Sequence, residues 1–202
     1  MEERIDIYDE DGRPTGHTMA RKGSFLHEGE YMLYVLAIIE NASGRYLITQ
    51  RARDKRWAAG WWEVTGGGVM AGEASAAAVV REVREETGLD VSAEPLAPVW
   101  RYRNVDLTRG DNYIVDIYHF HLDFDEGDVR LQQREAIGCR LATRAEVDEL
   151  ARQGVFLHYE RLRQALSAEA HGAPAPAPLD APPSAPSAPA APSAPAAPED
   201  RS

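Results

Sequence analysis

The stretch Gly67–Leu89, GGVMAGEASAAAVVREVREETGL, decides how the rest of the chain is read. After Gly72 it turns rich in alanine, valine and glutamate, and Gly88 stands where a helix C-terminus favours glycine. The spacing predicts a helix over Ala74–Thr87, with Ala76, Val79, Val80, Val83 and Thr87 along one stripe. Glu82, Glu85 and Glu86 sit at i, i+3 and i+4 and therefore share one face. Like charges so close destabilise a lone helix, so something cationic is expected against them. A hard divalent ion with oxygen ligands fits that demand. The apolar stripe is offset from the acidic face by roughly a quarter to a third of a turn, at about 100° per residue. The helix is thus expected to pack on a core while its acids face a cleft.

Immediately upstream, Trp61–Thr65 reads as a short strand running into Gly66-Gly67-Gly68. Three consecutive glycines mark backbone that turns sharply or approaches another group closely; a turn is expected here. Further upstream, Arg51–Arg56 (RARDKR) is a basic cluster followed by Trp57, Trp61 and Trp62. Two readings stand for it. Either Trp62 belongs to the core and the arginines to a solvated loop, or Arg51, Arg53 and Trp57 form a patch for a phosphate or nucleotide, beside the glycines 66–68.

Working outward, Glu30–Glu40 (EYMLYVLAIIE) is almost continuously apolar and reads as a buried central strand. Asn41-Ala-Ser-Gly44 is a turn, and Arg45–Arg51 returns as a strand to make a hairpin. Arg4–Tyr8 alternates and precedes a turn through Gly12 and Pro14; residues 1–29 are expected as a strand or arm packed on the main unit. Downstream, strands are expected over Ala97–Val105, Tyr113–His121 and Ile137–Leu141. Thr143 with Glu146 makes a capping box for a helix to Ala151, and His158–Ala168 is a last helix. Mixed strands with a few helices predict α/β or α+β packing, with helices on a mixed sheet, over residues 30–168. Residues 169–202 become Ala, Pro and Ser with little else, a composition that cannot bury a core; they are expected to form a disordered tail.

The chain has 202 residues and a formal net charge of -11, with a pI of about 5.0. That balance disfavours nucleic-acid polymers and anionic membranes as partners, because both seek a basic surface. The single cysteine, Cys139, excludes an internal disulfide and argues against a thiolate zinc site. No apolar run reaches the length that spans a bilayer, and a cytoplasmic setting is expected.

Clustered carboxylates that hold Mg2+ and a further carboxylate that accepts a proton meet what cleavage of a phosphoanhydride requires. The pattern Gly67-x5-Glu73-x7-Arg81-Glu82-Val83-x-Glu85-Glu86-x-Gly88-Leu89 resembles the Nudix box at every defined position. The resemblance extends over about Glu30–Leu166. It implies the Nudix fold, a mixed β-sheet sandwiched between helices, and Mg2+- or Mn2+-dependent hydrolysis of a small-molecule substrate, a nucleoside diphosphate linked to another group. Carried over by position, it implies Glu82, Glu85 and Glu86 as metal ligands, with the Gly67 carbonyl as a further one. Glu73 and Arg81 become a supporting pair, and Glu82 or an outlying carboxylate the base. Glu135, in the loop Leu131–Glu135, is the candidate ligand outside the box. Members of the family are often dimers, which makes a second copy of this chain a candidate partner.

The prefix Asp6–Gly12 with Pro14-Thr-Gly16, and Lys55-x-Trp57 followed by Gly60-x-Trp62-Glu63-x-Thr65, resemble Nudix proteins related to isopentenyl diphosphate isomerase. Those isomerases use a cysteine just before the box and a histidine after the glycine there. Here Ala58-Ala59 stand in that region, Val69 follows Gly68, and Cys139 lies far downstream. Hydrolysis is therefore expected over isomerisation. A third reading, a nucleotide-sensing module without catalysis, does not require the complete set of acids.

Overall fold

The computed structural model describes residues 2–176, so the tail expected from 169 onward lies mostly outside the described residues. The elements in order are β1 (Arg4–Tyr8), β2 (Pro14–Ala20), β3 (Met32–Asn41), β4 (Tyr46–Arg51), β5 (Trp62–Glu63), β6 (Thr65–Gly68), α1 (Ser75–Thr87), β7 (Trp100–Asn104), β8 (Tyr113–Leu122), β9 (Ala136–Ala142), α2 (Arg144–Arg152) and α3 (Tyr159–Ala170). A 3-10 turn, Glu126–Asp128, precedes β9.

The apolar run predicted as a central strand is β3, and it organises the main sheet. That sheet runs β5-β4-β3-β8-β7, with β6 also on β3 and β9 also on β4. β3 and β8 are parallel over their whole lengths, from Met32 opposite Tyr113 to Asn41 opposite Leu122. The other pairings are antiparallel, so the sheet is mixed. Strand alternation gives β3 two buried faces. Leu33, Val35, Ala37 and Ile39 pack with Ala78, Val79 and Val83 of α1. Ile38 packs on the other side with Leu150 of α2 and Leu162 and Ala165 of α3. The sheet is thus sandwiched between helices, an α+β arrangement.

α1 is anchored at its first residue by a buried polar network. Ser75 Oγ donates to Asp116 Oδ2 at 2.6 Å and lies 2.7 Å from the Tyr118 hydroxyl. Asp116 is fully buried on β8 and is paired by Arg101 of β7, with Nε–Oδ1 at 2.5 Å and Nη2–Oδ2 at 3.0 Å. A carboxylate out of water needs such a partner. At the other end Gly88 takes the left-handed conformation, φ 74°, and its N–H returns to Arg84 O, as the sequence predicted.

β1 and β2 form a separate antiparallel hairpin. It is fixed to β3 by the mutual hydrogen bonds of Tyr8 and Tyr31, at 2.8 and 2.9 Å, and by Ile5, Ile7 and Leu26 packing with Met32.

The glycine triplet corrects the sequence reading. Gly66–Gly68 is not a turn; it is extended strand, paired with Leu36, Val35 and Tyr34 of β3. The strand expected over Trp61–Thr65 is instead split between β5 and β6 at Val64. Close approach, not turning, is what requires glycine here. A Cβ on Gly66 would meet Val35 O at 2.2 Å, one on Gly67 would meet Glu82 Oε1 at 2.4 Å, and one on Gly68 would meet the Arg21 guanidinium at 2.8 Å. Gly66→Ala drives a methyl into backbone and is expected to cost about 3 kcal/mol, the upper part of the overpacking range. Gly138→Ala, where nothing lies within 4 Å of the new Cβ, is expected to stay within about 0.5 kcal/mol of the wild type. Urea unfolding midpoints at constant m-value check both.

Candidate active site

β6, the loop after it and α1 bring Glu73, Arg81, Glu82, Glu85 and Glu86 together. Arg81 is the hub. Its Nε and Nη2 donate to the two oxygens of Glu73, each at 2.8 Å, a bidentate fork that only arginine provides. Nη1 donates to Glu82 Oε1 at 2.7 Å and lies 3.5 Å from Glu85 Oε2, while Nη2 also reaches Gly68 O at 3.1 Å. One guanidinium therefore ties the pre-helix loop, the glycine strand and the helix. Glu82 lies against Gly67, in space that any side chain there would take.

The three helix glutamates differ in surroundings. The Glu85 side chain is 54% exposed, against 12% for Glu82. Burial pushes the Glu82 carboxyl up in pKa, opposed by Arg81 and assisted by Glu85. Glu86 is turned inward. Its Oε2 accepts from the Thr65 hydroxyl and from the Gly66 N–H at 3.3 Å. Burial raises its pKa to about 7 from an ordinary 4.5, with Glu82 and Glu63 adding to the rise. Three carboxylates thus face one guanidinium with Glu86 beside them, and at least one carboxyl is costly to ionise. A bound divalent cation would remove that cost, and an all-oxygen donor set suits Mg2+ or Mn2+. The residues present fit such an ion.

The remaining candidates lie to one side. Arg51 Nη1 is 2.9 Å from both oxygens of Glu63, and the guanidinium also lies over the Trp57 ring, 5.7 Å from its centroid. Arg51 is thus engaged by a carboxylate, which offsets the charge a phosphate would meet. Trp57 is 61% exposed. Arg53 is exposed on the loop after β4, and no contact joins it to the box carboxylates among the described residues. Glu135 is ion-paired with Lys55, and its carbonyl accepts from Ala52 N at 2.9 Å. Its loop docks on the end of α1, where Gln132 N donates to Glu86 O at 3.1 Å and Arg130 N to Thr87 O at 2.7 Å.

Two residues of this site were given no site role from sequence. Thr65 holds Glu86. Glu63 is a half-buried carboxylate whose field acts on Glu86 and is itself acted on by Glu135. Glu63, Thr65 and Gly67 are spaced by two, so alternation along one extended segment was the available signal. Arg21, on the segment after β2, is a third: its guanidinium sits against Gly68 and lies over the Tyr34 ring, 5.5 Å from the centroid.

A glycine strand feeding a helix whose carboxylates gather around one arginine is the architecture of a Nudix domain, and the NUDIX domain family model matches residues 30–165. The chain belongs to the Nudix family and is one of its hydrolases. It is 29% identical to an uncharacterized Nudix hydrolase of Listeria monocytogenes over 163 residues, 80% of this chain and 92% of the relative. It is 32% identical to an isopentenyl-diphosphate Delta-isomerase of Escherichia coli over 108 residues, 52% of this chain and 58% of that enzyme. A crystal structure of a Deinococcus radiodurans protein matches with a TM-score of 0.57 at 20% identity, covering 74% of this chain and 89% of the other. That last likeness shows the shared fold. No helix among the described residues is long and apolar enough to cross a membrane.

The Glu86 environment predicts a pH dependence in chelator-treated protein. Its carboxyl titrates near 7 when folded and near 4.5 when unfolded, so between those values the folded chain holds the extra proton. Stability is expected to fall as pH rises through that window. Glu86→Gln flattens this slope in thermal unfolding; an unchanged slope refutes the assignment to Glu86.

Proposed function

We propose that the protein hydrolyses a diphosphate linkage in a small-molecule substrate, a nucleoside diphosphate joined to another group, with Mg2+ or Mn2+. The observation that carries this reading is the set of Glu73, Glu82 and Glu85 gathered around Arg81, with Glu82 against Gly67 and Glu86 held to the same strand by Thr65 and the Gly66 N–H. Glu82, Glu85 and Glu86, with the Gly67 carbonyl, hold the ion, and Glu135 is the ligand candidate outside the box. The ion, when bound, neutralises phosphate oxygens and lowers the pKa of water.

The chain's own groups perform the remaining tasks. Arg81 and Glu73 fix the direction of Glu82, so its carboxylate meets the site in one orientation. The exposed Glu85 offers its oxygens toward solvent. A carboxylate positioned beside the ion can accept a proton from water, a role that falls to Glu82 or to a carboxylate outside the box. The glycine backbone lets a phosphate approach without a side chain in its path. Arg53, Trp57 and the Arg51–Glu63 pair form the adjoining rim on which the rest of the substrate would lie.

A second reading, isomerisation of an isoprenoid diphosphate, is favoured by the 32% identity to an isomerase over about half the chain. Against it, Gly66–Gly68 carry no acid side chain, and Cys139 stands on β9 opposite Thr49. Release of phosphate or of a nucleoside monophosphate from a broad diphosphate panel with Mg2+ and Mn2+ supports hydrolysis. Proton exchange with deuterated water without phosphate release supports isomerisation. Glu85→Gln is expected to lower kcat by at least about 10²-fold on the substrate found. Its half-exposed position should leave the unfolding midpoint within about 0.5 kcal/mol of the wild type. Retained turnover in that variant removes Glu85 from the site.

A further inference from the structure

A second cluster of ligating side chains lies on the sheet face away from α1. β3 and β8 run parallel there, which sets Glu40 opposite His121. His119 precedes His121 by two and shares its face. One ligand atom each from Glu40, His119 and His121 falls within 4.8 Å of the others. The two imidazole rings are 4.3 Å apart between centroids, at 48°.

His119 is the informative member. Its side chain is 5% exposed. Nδ1 is 2.7 Å from Glu169 Oε2, at the last turn of α3, and Nε2 is 3.1 Å from Glu40 Oε2. A carboxylate can only accept, and a neutral imidazole has one N–H to give. Two carboxylates on one ring therefore demand either a second proton or a cation at one nitrogen. The contact to Glu169 is the usual arrangement by which a carboxylate holds the non-ligating nitrogen of a metal-binding histidine. It leaves the Nε2 lone pair directed at Glu40, with a second imidazole alongside. Nothing about proton binding calls for His121 at that place; metal binding does.

We propose that Glu40, His119 and His121 form a site for a borderline divalent ion of the Zn2+ class, with Glu169 orienting His119. Two imidazole nitrogens and one carboxylate oxygen are a zinc-type donor set with an open fourth position. Nitrogen donors set it apart from the all-oxygen carboxylate site, which suits Mg2+ or Mn2+. Ligand bonds of about 2.0–2.2 Å are within reach of small side-chain adjustments from the present spacing of under 4.8 Å. The ion would clip the ends of β3 and β8 to the end of α3. This site is independent of the hydrolase reading.

The test uses the full chain with excess Mg2+ present to occupy the carboxylate site. Zn2+ is titrated by calorimetry, and Co2+ by its visible absorption, which reports imidazole ligation and tetrahedral geometry. One equivalent of Zn2+ is expected to bind and to raise the thermal midpoint, since an ion bound only by the folded state stabilises it. His121→Ala, at an exposed position, and Glu40→Gln are expected to lose the cobalt band and weaken Zn2+ binding at least tenfold. Glu169→Gln weakens it about 10–100-fold, as removal of an orienting partner does. Glu85→Gln binds like the wild type. Equal binding by wild type and His121→Ala overturns the proposal, as does a wild type that takes up no Zn2+ and shows only a protonated His119 by NMR.

Discussion

Four glutamates folded into one small volume would repel each other, and the Arg81 guanidinium is the group that makes their assembly tolerable. It satisfies both oxygens of Glu73, one of Glu82 and the Gly68 carbonyl at once. Each of these comes from a different piece of local structure: the loop before α1, the helix itself and β6. A lysine, with a compact ammonium, could not serve these directions with one planar group. The compensation is incomplete: four acids gather beside Arg81, and Arg21 adds a second positive charge that acts on Glu82. The half-buried Glu86 shows the cost, its pKa raised first by loss of water and then by the fields of Glu82 and Glu63. The architecture is thus built to be completed by further positive charge.

The scaffold under this cluster follows from β3. Its two apolar faces fix α1 on one side and α2 with α3 on the other, and its edge receives β6 as a strand without side chains. Because β6 is all backbone beyond Thr65, α1 can lie close enough for Glu82 to rest on Gly67 and Glu86 to reach Thr65. Core packing and carboxylate geometry are therefore set by the same contact.

The parts of this arrangement that could be read from sequence are those governed by local periodicity. The spacing of Glu82, Glu85 and Glu86 determines a shared helical face wherever the helix goes, and Gly88 and the Thr143–Glu146 box declare their helix ends by short-range chemistry. The central strand could be read because a continuous apolar run has few other uses. Glycine at 66–68 was misread as a turn because glycine states only that a Cβ is excluded. Whether the excluding group is Val35 O, Glu82 or Arg21 depends on contacts between residues far apart in the chain. The pairing of Arg51 with Glu63 and of Lys55 with Glu135 has the same origin. From sequence they are basic residues near tryptophans, and only the folded chain shows which acids face them.

The N-terminal hairpin gives the loop before α1 its shape. Ala71 N donates to Arg4 O at 2.9 Å and Gly72 N to Asp6 Oδ2 at 2.6 Å, so two amides that would otherwise face water are held by the first strand. Met70 N in turn donates to Glu73 at 3.0 Å. A glycine-bearing loop left free would sample many conformations, and a ligand would have to select one of them at the expense of its own affinity. Here the entropy of that loop is lost during folding, when β1 docks on it. β1 is therefore the template that keeps the loop in one shape, although it contributes no carboxylate to the cluster that the loop serves.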